Sequence, residues 1–209
     1  KLELGDWHMS WAFQYSHITI DDSSTDASVP DVGSGSYFIM IPEIRYSNIT
    51  HQSVIATGFR TSVSGAYISP SYGSIEGQLS WNPSIGKNYI GLEGHIGWGV
   101  LPQNQLFRLG GIAGSLTLPS GVVSDFYGNL TLDIERVLFP IGSAKVTGTL
   151  LYEAGTYRDL ENQFVLHHGP GIKLSVYLDR IALPAMGIAV LWSIPENRRY
   201  TKVSLGIPF

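Results

Sequence analysis

The side chains best suited to chemistry are Glu93 and His95, with Ser80. Acyl-ester hydrolysis needs a serine, a histidine and an orienting acid within hydrogen-bond reach. Residues two apart on a strand project to one face, so Glu93 and His95 meet part of that need. No nucleophile elbow accompanies them. The adjacent pair His167-His168, placed in a loop, is the other grouping. Adjacent histidines chelate one ion poorly, and no further ligand spacing supports a metal site. A chance surface pair is the plainer reading. The chain has 0 cysteines, which removes thiolate chemistry and disulfides. The expectation is no enzyme, no metal and no cofactor, with an outer-membrane acyl hydrolase as the lesser alternative.

Charged residues recur with a different logic. Glu43, Arg45, Arg60, Glu76, Glu93, His95, Asp133, Glu135, Lys145, Glu153, Lys173 and Lys202 all fall on the polar side of alternating stretches. If that side faces an interior, opposite charges should pair across strands, because buried charges must be paired or hydrogen-bonded. A salt-bridge plug is the expected role, and an ion or solute path the alternative.

The elements that position these residues are strands. In the last ten residues Thr201, Val203, Leu205, Ile207 and Phe209 lie on one face, and Tyr200, Lys202, Ser204, Gly206 and Pro208 on the other. Strict two-residue alternation marks a strand with one apolar face. A tilted strand of about ten residues spans a bilayer core. The last strand of a soluble sandwich would read the same way. Elsewhere the apolar set comprises Trp7, Met9, Trp11, Phe13 and Tyr15; Phe38, Met40, Ile44 and Tyr46; and Ile55, Phe59 and Val63 in a strand near 53–65. It continues with Ile75, Leu79 and Trp81, then Ile90, Leu92, Ile96, Trp98 and Val100. Next come Leu130, Leu132 and Ile134; Val146, Leu150 and Tyr152; Ile172, Leu174 and Val176; and Met186, Ile188, Val190 and Trp192. Pro42 lacks an N–H and should interrupt its ladder.

About ten antiparallel strands result, with eight or twelve as alternatives, in a single domain over 1–209. Long connections are expected at 19–35, 101–124 and 156–168, and short turns near 48–52, 83–87, 139–143 and 179–183. Sorting long loops to one side and short turns to the other is the outer-membrane pattern. Trp7, Trp81, Tyr89, Trp98, Trp192, Tyr200 and Phe209 fall near strand ends, as interface girdles require. Charged residues make up only 14 % of the chain, against about 25 % in soluble domains. Mean hydropathy is +0.09, yet no apolar run approaches a membrane helix. A net charge of −4 argues against a nucleic-acid binder. The fold class expected is all-β, an antiparallel transmembrane barrel. No leader precedes the first strand, and an outer-membrane protein needs one, so a mature chain is expected.

The order of motifs over 107–155 carries a resemblance. Phe107-Arg108-Leu109-Gly110-Gly111 is followed by Gly114-Ser115-Leu116-Thr117-Leu118-Pro119, then Glu135-Arg136-Val137-Leu138-Phe139-Pro140, then Leu151-Tyr152-Glu153-Ala154-Gly155. This order, with the phenylalanine-terminated last strand, resembles the barrel domain of the outer-membrane assembly and two-partner secretion superfamily, the bacterial surface antigen type. The likeness covers roughly 88–209 and implies insertion or translocation of protein or lipid. In that family a loop arginine enters the barrel and meets the acid of an F-x-D-x-G strand. Here Thr117 stands at the arginine's place, Glu153 at the acid's and Leu151 at the phenylalanine's. With Gly110, Gly111, Leu116, Thr117, Leu118 and Pro119 as the motif loop, the resemblance leads to the expectation that the loop contact is absent, a small barrel having little interior room. Strand signal begins near residue 5, so the expectation is a short form without POTRA modules, for which capture of clients in the family's usual way is not expected.

A seam between first and last strands is the expected functional place, at Ser10, Ser204, Gly206, Pro208 and Phe209. Gly206 and Pro208 weaken the terminal ladder, although Pro208 beyond the last ladder bond would cost nothing. An open edge facing lipid must be covered. The partners expected are outer-membrane lipid, a second copy across the seam and a polypeptide client. A structural or narrow-pore barrel without translocation is the alternative.

Overall fold

A computed structural model describes residues 2–4, 6–18, 35–50, 55, 57–68, 72–101, 106–110, 115–119, 121–178 and 184–205. Among these the chain is all-β, without a helix. The elements are β1 (Leu2–Leu4), β2 (Trp7–Ile18), β3 (Gly35–Ser47), β4 (Gly58–Ile68), β5 (Tyr72–Asn82), β6 (Ser84–Ile85), β7 (Asn88–Val100), β8 (Phe107–Arg108), β9 (Val123–Ser124), β10 (Phe126–Ile141), β11 (Ala144–Arg158), β12 (Phe164–Leu178), β13 (Pro184–Ser193) and β14 (Arg198–Leu205). Ten are long, and they form one antiparallel sheet in the order β2-β3-β4-β5-β7-β10-β11-β12-β13-β14. Every long strand therefore pairs with the next one along the chain. Short β1 lies on the free edge of β2, with Leu2 opposite Met9 and Leu4 opposite Trp7. Among the described residues no ladder joins β14 to β1 or β2.

The alternation seen in the sequence sets the two faces. Leu132 is 50 % exposed, Leu174 49 % and Leu205 72 %. Trp7, Trp11, Trp81, Trp98 and Trp192 are all exposed with them. The opposite face holds the buried groups: Glu135, Thr147, Thr149, Glu153, His167 and Ser175. Leu151 keeps the inward parity and is buried against Ala189 and Leu191, with Leu116 packed over them. The apolar side chains thus crowd the outside, and much of what is buried is polar.

The sheet wraps around this polar face. Ile55, in the connection between β3 and β4, is buried against Tyr177 of β12, with Tyr89 of β7 beside it. β3 and β12 lie far apart in the sheet order, so only strong curvature brings them together. The ladder between β3 and β4 pairs Met40 with Tyr67 and Glu43 with Ser64 but skips Ile41 and Pro42. That gap is the one a missing proline donor requires. At the β10–β11 hairpin Gly142 takes φ 58°, a left-handed value that glycine tolerates without a Cβ penalty.

Several expectations are corrected. The long loop expected at 156–168 is instead a short turn, because β11 runs to Arg158 and β12 starts at Phe164. His167 and His168 are therefore strand residues on opposite faces. The strand expected at 53–65 begins at Gly58, and Ile55 points inward from the preceding connection. Tyr89 packs inward with Ile55, and Tyr200 shares the inward face with its ladder partner, the buried Leu191, so neither belongs to an outer girdle. The loop expected at 19–35 lies outside the described residues except for Gly35, which opens β3. Gly111, Gly206, Pro208 and Phe209 also lie outside the described residues.

Candidate functional site

The segment between β7 and β10 enters the space inside the curved sheet. Its root is a two-rung ladder, Phe107 opposite Ser124 and Arg108 opposite Val123. Ser124 Oγ lies 2.6 Å from the carbonyls of both Phe126 and Arg158 and shares its single proton between them. Arg158 clamps Asp125 through Nε at 2.8 Å and Nη2 at 2.5 Å, a two-pronged, charge-assisted contact. Gly110 is needed further in, because a Cβ there would run into the Pro119 carbonyl.

The tip docks on Glu153. Thr117 N and Leu116 N donate to the carboxylate at 2.8 and 2.9 Å. Ser115 Oγ and Thr117 Oγ1 donate to the same Oε1 at 2.5 and 2.6 Å. A hydroxyl has one proton. If Thr117 gives it to Glu153, then His167, whose Nδ1 lies 2.8 Å from Thr117 Oγ1, carries hydrogen on Nδ1 and donates it. His167 Nδ1 is 4.0 Å from Glu153 Oε1, too far for a direct bond. From the last strand, Lys202 Nζ donates to the Ser115 carbonyl at 2.9 Å. Glu153 is 1 % exposed, Thr117 0 % and His167 4 %. A desolvated carboxylate needs this many donors, since an unmet buried charge costs several kcal/mol.

The docked contact overturns the expectation that the loop stays out. Thr117 cannot replace an arginine's charge, but two backbone N–H groups and two hydroxyls satisfy the acid instead. Room comes from the glycines of the inner face. A Cβ at Gly171 would lie 2.7 Å from Leu191 Cγ, and one at Gly155 would lie 2.5 Å from His167 Nε2. Leu118 is fully buried beneath the tip, and Pro119 follows it.

The other charged positions separate into local pairs. Arg45 donates to Glu43 at 2.6 Å, and Ser10 donates to Glu43 at 3.2 Å. His95 Nε2 meets Glu93 at 2.9 Å. Both ion pairs join residues two apart on one strand, where cross-strand pairs were expected. Glu135 accepts from Thr147 at 2.5 Å and from Tyr177 at 3.5 Å. Glu76 accepts from Tyr127 at 3.1 Å, bridging β10 to β5 over β7. Lys145 lies opposite Tyr177, and Arg60 stands exposed on β4 opposite Ser80. Asp133 and Lys173 line the cavity beneath the loop with Glu76, Glu93, His95 and Glu153.

The hydrolase grouping is not assembled: the described partner of Ser80 Oγ is Asn82, while His95 bonds Glu93. His168 meets the Tyr152 hydroxyl at 2.7 Å on the outer face, away from His167. Among the described residues no group of acids and histidines is arranged to hold a metal ion. Ser10 pairs with Glu43, and Ser204 with Gly187, each on the side away from the seam. Ser115, Tyr127 and Asn129 belong to the site and were not singled out in the sequence; His167 belongs to it too, although the sequence reads it as half of a chance surface pair. The spacing Ser115-x-Thr117 and the inward parity of His167 were the signals available. No family model matches this sequence, and no curated protein or solved structure is significantly similar to it.

Proposed function

We propose that the chain is an integral β-barrel of the bacterial outer membrane, acting in insertion or translocation of protein or lipid, or in local perturbation of the bilayer, at a weak seam between β2 and β14. The carrying observation is the inverted polarity. Large apolar side chains stand about half open all over one face, while Glu153, Glu135 and His167 are enclosed. Soluble monomers rarely expose apolar patches beyond a few hundred Å². Covering the open half of each such side chain contributes about 1 kcal/mol, so lipid contact would supply on the order of tens of kcal/mol.

Kinship with the assembly and secretion superfamily is supported by the inward loop meeting the acid of the Leu151-Tyr152-Glu153-Ala154-Gly155 strand. The seam is supported by β1. It occupies Trp7–Met9 on the edge of β2 and leaves Ser10–Ile18 for a partner, about the length of the 8-residue β14. Antiparallel closure then brings Ser10 near Ser204. A second copy of the chain or a polypeptide client would meet the bilayer at this margin.

Quenching of tryptophan emission by brominated lipid tests the membrane reading. All 5 tryptophans lie on the outer face, so most emission should be lost. Quenching by aqueous acrylamide alone would refute it. For the seam, a disulfide between Ser10→Cys and Ser204→Cys should form and suppress insertion or leakage activity; complete cross-linking with activity intact removes the idea. A structural or narrow-pore barrel is the second reading. It is favoured by Ile55, Tyr89 and Tyr177 packing together at one end and by the docked tip, which narrows the interior to the cavity beneath it. Planar-bilayer conductance without translocation would select it.

A further inference from the structure

The docked tip reaches the last strand as well as the acid beneath it. Lys202 stands on the inward face of β14 opposite Ala189, and its Nζ donates to the Ser115 carbonyl at 2.9 Å. The two residues are 87 positions apart in the chain. Ser115 is fixed within the loop, because its N–H binds the Leu109 carbonyl at 2.5 Å and its hydroxyl binds Glu153. Withdrawal of the tip therefore carries that carbonyl away from Lys202. Contacts of the tip with Glu153, with His167 and with Ala189 and Leu191 lie on β11, β12 and β13. Lys202 extends the dock to β14.

This strand is the one for which such a contact matters most. Among the described residues the 8-residue β14 has a ladder on one side only, with β13, whereas β13 is held on both sides. The Lys202 bond exists only while the tip is docked and β14 is in place. Losing either state removes the same bond, so each opening favours the other by one common factor. Loss of one charge-assisted hydrogen bond shifts an opening equilibrium by about tenfold or more.

We propose that the docked tip locks the last strand through Lys202, so that withdrawal of the tip loosens β14 and loosening of β14 frees the tip. The consequence rests on the seam reading above: a tip that leaves the interior releases the margin where a client or second copy would be met. The lock itself is measured without reference to the seam.

Amide hydrogen exchange of the full chain in micelles, run as a four-member mutant cycle, tests the lock. Gly110→Ala undocks the tip without touching Glu153 or Lys202, because its Cβ would run into the Pro119 carbonyl. Leu116 and Thr117 should then exchange faster, and the β14 amides bound to β13 about tenfold faster, with Leu132 unchanged. In the parent chain Lys202→Met should speed exchange at both the tip and β14 by about that factor. Its effect on β14 should be about tenfold smaller in the Gly110→Ala background, where the bond is already gone. A lysine that merely supports its own strand would act equally in both backgrounds. If Gly110→Ala does not fold or keeps its tip protected, Glu153→Gln supplies the undocked chain. Unchanged tip exchange in Lys202→Met, unchanged β14 exchange after undocking, or equal effects of Lys202→Met in both backgrounds overturns the proposal. Coupling found beside an inert Ser10→Cys and Ser204→Cys cross-link would uphold the lock and remove the seam.

Discussion

Neutralising Glu153 should free the loop tip, and the size of the effect follows from its donors. The carboxylate takes two backbone N–H groups and two hydroxyls, all within 2.9 Å. A hydrogen bond to a charged group contributes about 1.5–3 kcal/mol. Glu153→Gln keeps the size but removes the charge and turns an amide NH2 toward one of the donors. Loss of the two backbone bonds alone costs about 3 kcal/mol, roughly 150-fold in the closed-to-open ratio. Amide hydrogen exchange at Leu116 and Thr117 reads that ratio directly, because their N–H groups are the ones bound. In the parent chain these amides should exchange slowly in micelles, and in Glu153→Gln on the order of 10²-fold faster. The strand amides of Leu150 and Leu132 serve as the internal reference and should not change. If Leu116 and Thr117 keep their protection in a folded variant, the carboxylate does not hold the tip.

Other outcomes follow from the same geometry. Leu132→Arg or Leu174→Arg should reduce the folded fraction in lipid by about 2–4 kcal/mol, seen in urea titrations, because both sit on the outer face. Gly155→Ala should lower stability by about 1–3 kcal/mol, since its Cβ would meet His167 and the Gly128 carbonyl, whereas Gly128→Ala, with nothing within 4 Å, should change it by less than about 0.5 kcal/mol. Ile55→Ala should cost about 2–5 kcal/mol in thermal unfolding and raise conductance in a planar bilayer, because it leaves a hole between Tyr89 and Tyr177.

The two faces were legible in the sequence because strand side chains alternate without exception over long stretches. Leu130, Leu132 and Ile134 read as outward and stand outward; Thr131, Asp133 and Glu135 read as inward and line the interior. Where the alternation is diluted the reading failed. Phe164-Val165-Leu166-His167-His168 mixes apolar and polar types on both parities, so the top of β12 passed for a loop. Ile55 has the right type for an outer face, but only the fold shows it lying past a strand end and crossing to β12. The docked tip was missed for a different reason. The resemblance directs attention to an arginine side chain, whereas Glu153 is held by two main-chain N–H groups, which every residue carries and no motif records, and by two small hydroxyls.

Ile55 also bears on how the margins of the sheet could part. Its contact with Tyr177 is not a ladder bond, and it links the early strands to the late ones across the enclosed space. Hydrogen bonds at a seam could therefore break while this end of the molecule stays fastened, like a purse whose cord is tied at the base. Any separation would splay from the far end, with the wedge widest at the Ile18 end of β2 and the Arg198 end of β14 and narrowest beside Ile55.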